Sequence, residues 1–159
     1  MPTISVLRAN LAAVALTFAA LVATIGTLAA QPTQTRAKSE IRAVLQQQQD
    51  AWNRGDVDAY MNGYARGSAT EFVSGDTRTR GWQTVRDRYA KKYDSREKMG
   101  RLAFSEIDIT PLSANAAFVT GRWKLTRKDG QPHGRFTLLF RRQPECWRIV
   151  HDHTSSAIP

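Results

Sequence analysis

Cysteine is almost absent from this 159-residue sequence, in which Cys146 is the only one. No intramolecular disulfide can form, so the fold must be held together by its own core. Cys146 precedes Trp147 in an apolar stretch, where we expect a buried, inert thiol; a reactive thiol or an intermolecular bridge is the alternative. The length leaves room for one domain.

Long runs of like charge are also missing. The chain has 23 Lys and Arg residues against 14 Asp and Glu, a formal net charge of +9. The basic residues are scattered, and no nucleic-acid-binding motif accompanies them. This distribution favours a solvated basic surface, and we expect no nucleic-acid partner.

The sequence has no internal repeat, no phosphate-binding glycine loop and no nucleophile elbow. A metal site is also disfavoured. His151 and His153 could supply two ligands, but Glu71, Asp76 or His133 would have to supply a third, and the spacing does not bring any of them close. We therefore expect neither a metal nor a cofactor.

One long uncharged run is present, from Ala9 to Thr35, and it ends in small residues near Ala30. This pattern is typical of a secretory signal peptide over residues 1–30, so we expect export to the periplasm or beyond and no membrane contact after cleavage. The alternative is an uncleaved anchor, because the run approaches the ~20 residues that span a bilayer. The remaining chain divides into a loose polar leader (31–38), a domain (39–155) and a tail (156–159).

Within the domain, helical periodicity comes before strand periodicity. Apolar residues recur at spacings of three and four in segments that begin at Ser39, Asp56 and Trp82. From Leu102 the spacing changes to two. Strands are predicted over 71–74, 102–109, 117–127, 135–142 and 146–155. This order predicts an α+β fold, a cone-shaped barrel in which a curved, mainly antiparallel sheet wraps around about three N-terminal helices.

The closing strand carries the most informative pattern. Read with a period of two, it places on one face Trp147, Ile149, His151 and His153. This face begins apolar and ends in two imidazoles, as expected where a strand runs from a core into a polar cavity. Asp152 is assigned to the opposite face. The sequence therefore predicts a pocket at this end of the sheet.

Candidate catalytic residues are His151, His153 and Tyr60, because an imidazole can move protons near neutral pH and a tyrosine can donate a hydrogen bond. Hydrogen bonding of both imidazoles within the sheet is the alternative. No carboxylate is clearly placed to act as a base, since Glu106 and Asp108 share the polar side of their strand.

The candidate ligand-binding residues combine aromatic side chains with two polar ones. They are Trp52, Tyr64, Trp82, Tyr89, Trp123, Arg135 and Thr137. Arg135 would provide a fixed cation for an anionic ligand group. Core packing is the alternative for the aromatic residues, and a hairpin edge in water is the alternative for Arg135.

Several stretches resemble the nuclear transport factor 2-like superfamily, above all its SnoaL-like and ketosteroid isomerase-like proteins, and also the association domain of calcium/calmodulin-dependent kinase. They are 51–56, 81–82, 116–130, 137–142 and 147–155. The resemblance covers about Ser39 to Ser155. It implies a cone-shaped α+β barrel with a deep pocket, commonly dimeric through its outer sheet face.

The sequence favours an exported single-domain protein with a pocket for a small, partly apolar molecule. An acid–base enzyme of isomerase, dehydratase or hydrolase type, using pocket His and Tyr residues, is the alternative. A dimerisation module is a second alternative, with Phe136, Leu138 and Phe140 as its apolar outer face. We expect a homodimer, and whether the protein is an enzyme stays open.

Overall fold

The structure is a computed structural model that describes residues 33–157. The predicted signal peptide and its alternative, the anchor, lie outside the described residues. The chain divides into two units between Arg36 and Ala37, and the fold below is that of the second. No helix within residues 33–157 is long and apolar enough to cross a membrane.

Within the described residues, helix α1 covers 33–54 and contributes one apolar stripe to the core. The stripe begins at Ala37, which is 6% exposed, and continues at helical spacing to Trp52. The helix begins upstream of Ser39, so residues 33–38 are helical where a loose leader was expected. Packing of Ala37 in the core stabilises this extra turn. Gly55 ends the helix with a φ of 86°, a backbone conformation that favours glycine.

Three short helices follow: α2 (Val57–Met61), α3 (Trp82–Lys92) and α4 (Arg96–Met99). Asp56 caps α2 as predicted, because its side chain accepts a hydrogen bond from the Ala59 N–H at 2.8 Å. Asn53 joins α1 to the sheet: its side chain accepts from the Leu102 N–H at 2.8 Å and donates to the Leu102 carbonyl at 3.0 Å.

A six-stranded sheet faces these helices. Its strands are β1 (Glu71–Ser74), β2 (Thr77–Arg80), β3 (Arg101–Ser113), β4 (Ala116–Thr126), β5 (His133–Arg142) and β6 (Trp147–Thr154). The spatial order is β2-β1-β6-β5-β4-β3; β1 and β6 are parallel, and the other neighbours are antiparallel. The predicted α+β class with a mainly antiparallel sheet is confirmed. Strand β2 was not predicted, because its polar sequence lies at a sheet edge.

A β-bulge interrupts β6. Phe140 pairs with Ile149 and Leu139 pairs with His151, so Val150 is an extra residue without a partner on β5. The bulge shifts the alternation of side chains, and Ile149 is followed on the buried face by Asp152, which is 4% exposed. The expected faces of His151 and Asp152 are therefore wrong, because a strict period of two does not allow for the extra residue.

The phase of β5 also differs from the expectation. Phe136, Leu138 and Phe140 are buried, whereas Arg135 and Thr137 alternate with them on the outer face. Apolar members of a two-residue repeat face the core when the other side of the sheet is open to water. The predicted pocket position of Arg135 and Thr137 is wrong, and so is the apolar outer face assigned to the three buried residues.

Candidate functional site

A cavity lies between the helices and the concave face of the sheet. The interior space open to water measures ≈ 90 Å³. All empty space in the cavity and its opening measures ≈ 820 Å³. The smaller volume is the one that describes the interior of the cavity. The larger volume includes open solvent at the mouth.

Aromatic rings form much of the wall. The ring of Trp52 meets Tyr60 edge-on at 5.1 Å between centroids and Tyr93 at 4.7 Å. Tyr89 lies 5.4 Å from Tyr60 and 5.5 Å from Phe72. All five rings line the cavity. The contacts are edge-to-face except for the tilted pair of Tyr60 and Tyr89, and together the rings give a mostly apolar wall.

Asp152 provides the one carboxylate among the described residues that line the cavity. Its Oδ2 atom accepts a hydrogen bond from the Tyr64 hydroxyl at 2.6 Å. Its Oδ1 atom accepts from the Thr154 hydroxyl at 2.8 Å. A carboxylate has about four acceptor positions, so both oxygens can still accept a bond from a bound molecule.

Burial raises the pKa of Asp152 from its ordinary 3.8 to about 6, although the hydrogen bonds from Tyr64 and Thr154 and the nearby imidazoles of His151 and His153 oppose the rise. At neutral pH Asp152 is therefore ionised in most molecules, yet protonating it costs little free energy. A group with these properties can act as a general base near pH 7.

The tyrosine hydroxyls around Asp152 stay protonated. Burial, followed by the charge of Asp152, raises the pKa of Tyr60 and of Tyr64. Burial, followed by the charges of Tyr60 and Asp152, also raises the pKa of Tyr89. These phenols are hydrogen-bond donors next to a carboxylate, in an environment of low polarity.

Five of the predicted site residues line the cavity: Trp52, Tyr60, Tyr64, Tyr89 and Trp123. The indole N–H of Trp123 donates to the Ser155 carbonyl at 3.0 Å. The roles of these five residues in binding or catalysis stay predictions.

Three other predicted ligand-binding residues lie outside the cavity lining. The indole of Trp82 donates to the Met61 carbonyl at 3.0 Å. The Arg135 side chain is 65% exposed and pairs with Glu106 at 3.1 Å. Thr137 lies on the outer face of β5, opposite His153 of β6.

The two histidines of β6 do not line the cavity. The Nδ1 atom of His151 lies 3.2 Å from Glu71 Oε1, and His153 is exposed. Within residues 33–157 no group of three or more His, Cys, Asp and Glu side chains could hold a metal ion. If acid–base chemistry occurs in the cavity, Asp152 is better placed for it than either imidazole.

Arg88 and Lys92 also line the cavity and were not singled out from the sequence. A signal was available, because they follow Val85 and Tyr89 at helical spacing on α3. Asp152 could not be found from alternation alone, since its orientation depends on the bulge at Val150.

The family model that matches this chain is the SnoaL-like domain, over residues 41–159. An NTF-2 like protein of unknown function from Shewanella oneidensis MR-1 is 40% identical, with a TM-score of 0.72, over 74% of this chain and 98% of that one. No curated protein matches the chain.

Two more distant structures share the fold. A proposed scytalone dehydratase from Novosphingobium aromaticivorans DSM 12444 has 10% identity and a TM-score of 0.69, over 80% of this chain and 89% of that one. A ketosteroid isomerase-like protein from Erwinia carotovora atroseptica SCRI1043 has 20% identity and a TM-score of 0.62, over 76% and 96%. These similarities, the family match and the curved sheet around a cavity confirm the predicted superfamily. The chain belongs to the SnoaL-like domain family of nuclear transport factor 2-like proteins.

Proposed function

We propose that the domain binds a small, partly apolar molecule in its cavity and that Asp152 exchanges a proton with it, as in an isomerase or a dehydratase. The observation that carries the proposal is a buried carboxylate with a pKa near 6, held by the hydroxyl of Tyr64 at 2.6 Å inside an aromatic cavity. Buried carboxylates are costly, so such a group is a candidate for a functional role.

The chemistry follows from these groups. The ionised Asp152 takes a proton from a carbon next to a carbonyl group, and the C–H electron pair moves into an enolate. A tyrosine hydroxyl, from Tyr60 or Tyr89, stabilises the enolate oxygen by a hydrogen bond. Return of the proton to another carbon gives an isomer, whereas departure of a β-hydroxyl group with a proton gives water and an alkene.

The two distant structures support this class of chemistry at the level of the fold. One is described as a proposed dehydratase and the other as a ketosteroid isomerase-like protein. Both are below 25% identity, and one fold hosts many reactions. The site of this chain therefore has to carry the proposal.

Deuterium exchange tests the proposal with a panel of small carbonyl compounds in place of a single substrate. The protein is incubated in D₂O with small ketones, enones and β-hydroxy carbonyl compounds, and proton NMR follows the loss of α-C–H signals. We expect accelerated exchange for at least one compound and a loss of roughly 100-fold or more in Asp152→Asn. His153→Gln is the control and should retain the rate. Activity that survives in Asp152→Asn and disappears in His153→Gln would instead support a histidine base.

Binding without chemistry is a second candidate. It is favoured by the observation that both oxygens of Asp152 already accept hydrogen bonds from the chain itself, from Tyr64 and Thr154. In that case the carboxylate would position the strand. Asp152→Asn would then leave ligand affinity unchanged, and no compound would exchange faster than in buffer.

We also propose that the domain works after export, with the signal peptide removed near Ala30. Mass spectrometry of the protein from its native host would show a mature chain starting near Gln31. A chain that retains residues 1–30 and sediments with membranes would support the anchor instead.

A further inference from the structure

Two cationic side chains lie at the cavity on the same side of helix α3. Arg88 and Lys92 both contribute to its lining, and they are four residues apart on a helix that runs from Trp82 to Lys92. Side chains at this spacing are neighbours on a helix surface. The cavity therefore combines an apolar wall with a pair of positive charges.

Neighbouring aromatic rings and a hydroxyl group hold these cations in place. The guanidinium carbon of Arg88 lies 5.1 Å from the centroid of the Phe72 ring, and its Nη1 donates to the Thr79 hydroxyl at 2.9 Å. The ammonium nitrogen of Lys92 lies 5.4 Å from the centroid of the Tyr93 ring. Phe72 and Tyr93 belong to the cavity wall themselves, so both charges lie against it.

Neither cation forms an ion pair with an acidic side chain in the described part of the chain. Arg86 of the same helix, by contrast, pairs with Asp58 at 2.7 Å. Burial and then the charges of Arg88 and Arg127 lower the pKa of Lys92. Like charges that lie together without a counter-ion repel one another, and a bound anion would relieve the repulsion.

Polar groups from the sheet line the cavity as well. Ser74 ends β1 and pairs with Thr154 of β6, and Ser156 follows two residues later; all three line the cavity. The Thr154 hydroxyl is bonded to Asp152. The hydroxyls of Ser74 and Ser156 add donors suited to an anionic oxygen.

We propose that the ligand of this cavity is an organic carboxylate, whose apolar or aromatic body packs against the tyrosine and tryptophan rings and whose anionic group binds Arg88 and Lys92. The inference rests on the proposed function, because it assigns a substrate class to the same cavity. The two cations attract the anionic group and Asp152 repels it, so the ligand is oriented with its uncharged part toward Asp152.

Two isosteric probes test the charge preference directly. Naphthalene-2-carboxylate and naphthalene-2-carboxamide have the same aromatic body and differ in charge. Isothermal titration calorimetry on the wild-type protein at pH 7.5 should show the carboxylate binding roughly tenfold or more tightly, as expected for one charge-assisted contact. Added salt should reduce this difference, because Lys92 is exposed to solvent.

Variants then locate the effect. Arg88→Gln and Lys92→Gln should each weaken carboxylate binding about three- to tenfold and leave carboxamide binding unchanged. Lys91→Gln is the matched control: it removes the same charge from the same helix, and Lys91 is exposed like Lys92 but lies outside the cavity lining. Arg88→Lys retains the charge and should restore part of the preference.

The outcomes separate this inference from the proposed function. Equal or tighter binding of the carboxamide would overturn the carboxylate preference while supporting an apolar pocket. An equal loss in Lys91→Gln would show a general charge effect and would also overturn it. Binding of neither probe would overturn the carboxylate inference, whereas the proposed function would still be decided by deuterium exchange with the smaller carbonyl compounds. The comparison of the two probes on the wild-type protein does not depend on any variant folding.

Discussion

The Asp152 carboxyl group is where stability and function conflict most clearly. Its folded-state pKa of about 6 lies above the ordinary 3.8, so the folded protein binds a proton more tightly than the unfolded chain does. The associated stability is fully present below pH 4 and is lost as the pH rises through 6. The rise in pKa corresponds to about 3 kcal/mol of unfolding free energy.

Replacing Asp152 with Asn should remove this cost. The Oδ1 atom of the introduced Asn can accept a hydrogen bond from the Tyr64 hydroxyl, and its amide group can donate one to the Thr154 hydroxyl. The fold is therefore expected to persist. We predict that Asp152→Asn is more stable than the wild type by about 1–3 kcal/mol at pH 7.5 and that the difference disappears near pH 4. Urea unfolding at the two pH values measures this. Parallel pH profiles for both proteins would contradict the raised pKa.

Tyr64 should hold down the pKa of Asp152, because its hydroxyl donates to the ionised form. Removing that hydroxyl in Tyr64→Phe is predicted to raise the pKa of Asp152 further and to move the acidic limb of any pH–rate profile to higher pH. Tyr93→Phe is the control, since its hydroxyl is not among the groups that hydrogen-bond Asp152. A profile that does not move in Tyr64→Phe would show that this bond does not tune the carboxyl group.

At the scale of the element, strand β6 shows what sequence patterns can and cannot predict. The positions of β3, β4, β5 and β6 followed from a period of two, because one face of each strand packs on the core. The unpaired Val150 left no trace in that pattern. One extra residue exchanged the faces of Asp152 and His151. The strand was therefore predicted, but Asp152 was not recognised as its candidate base.

The same limit applies to β5, for a different reason. Its alternation was recognised, but the polar members, Arg135 and Thr137, were assigned to the pocket because of their chemistry. The apolar members face inward instead. Trp52 of α1, Tyr60 of α2 and Tyr89 of α3 were easier to place, because a helical stripe that faces the core also faces the cavity within it. Trp82, at the start of α3, is the exception.

Gly134 of β5 lies against Trp123, which lines the cavity. A Cβ atom at this position would overlap the carbonyl oxygen of Ser155 and approach the indole nitrogen of Trp123, and these two atoms share a hydrogen bond. We predict that Gly134→Ala lowers the unfolding free energy by about 1–3 kcal/mol through crowding and weakens ligand binding by displacing Trp123 from the cavity wall.

Gly75→Ala provides the comparison for this prediction. Its Cβ would meet no atom within 4 Å, and its φ of 57° predicts only a backbone penalty, of about 1 kcal/mol. Chemical denaturation of both variants, with titration of naphthalene-2-carboxamide, measures the two effects. If Gly134→Ala binds the probe as the wild type does, the contact between Gly134 and Trp123 does not shape the cavity.

For the whole molecule, the order of helices and strands was enough to predict the α+β class, and a few stretches were enough to predict the superfamily. Both depend on patterns repeated over many residues. The chemistry of the cavity depends on single side chains and on one bulge, which explains why the fold was predicted more completely than the site.

A homodimer through the outer sheet face stays a prediction. Phe118 is 41% exposed and pairs with Leu139 across β4 and β5, which gives this face an apolar centre. We expect the wild type to sediment as a dimer at micromolar concentration and Phe118→Lys to sediment as a monomer with an intact cavity. A monomeric wild type would contradict the prediction.

The central claim is that Asp152 is a buried base able to exchange protons near neutral pH. Its most direct test is a pH titration of the protein labelled with ¹³C at the aspartate carboxyl carbons, with the Asp152 signal assigned by its absence from Asp152→Asn. We predict a titration midpoint near pH 6. A midpoint at or below about 4, the value of an ordinary aspartate, would contradict the proposed role of this residue.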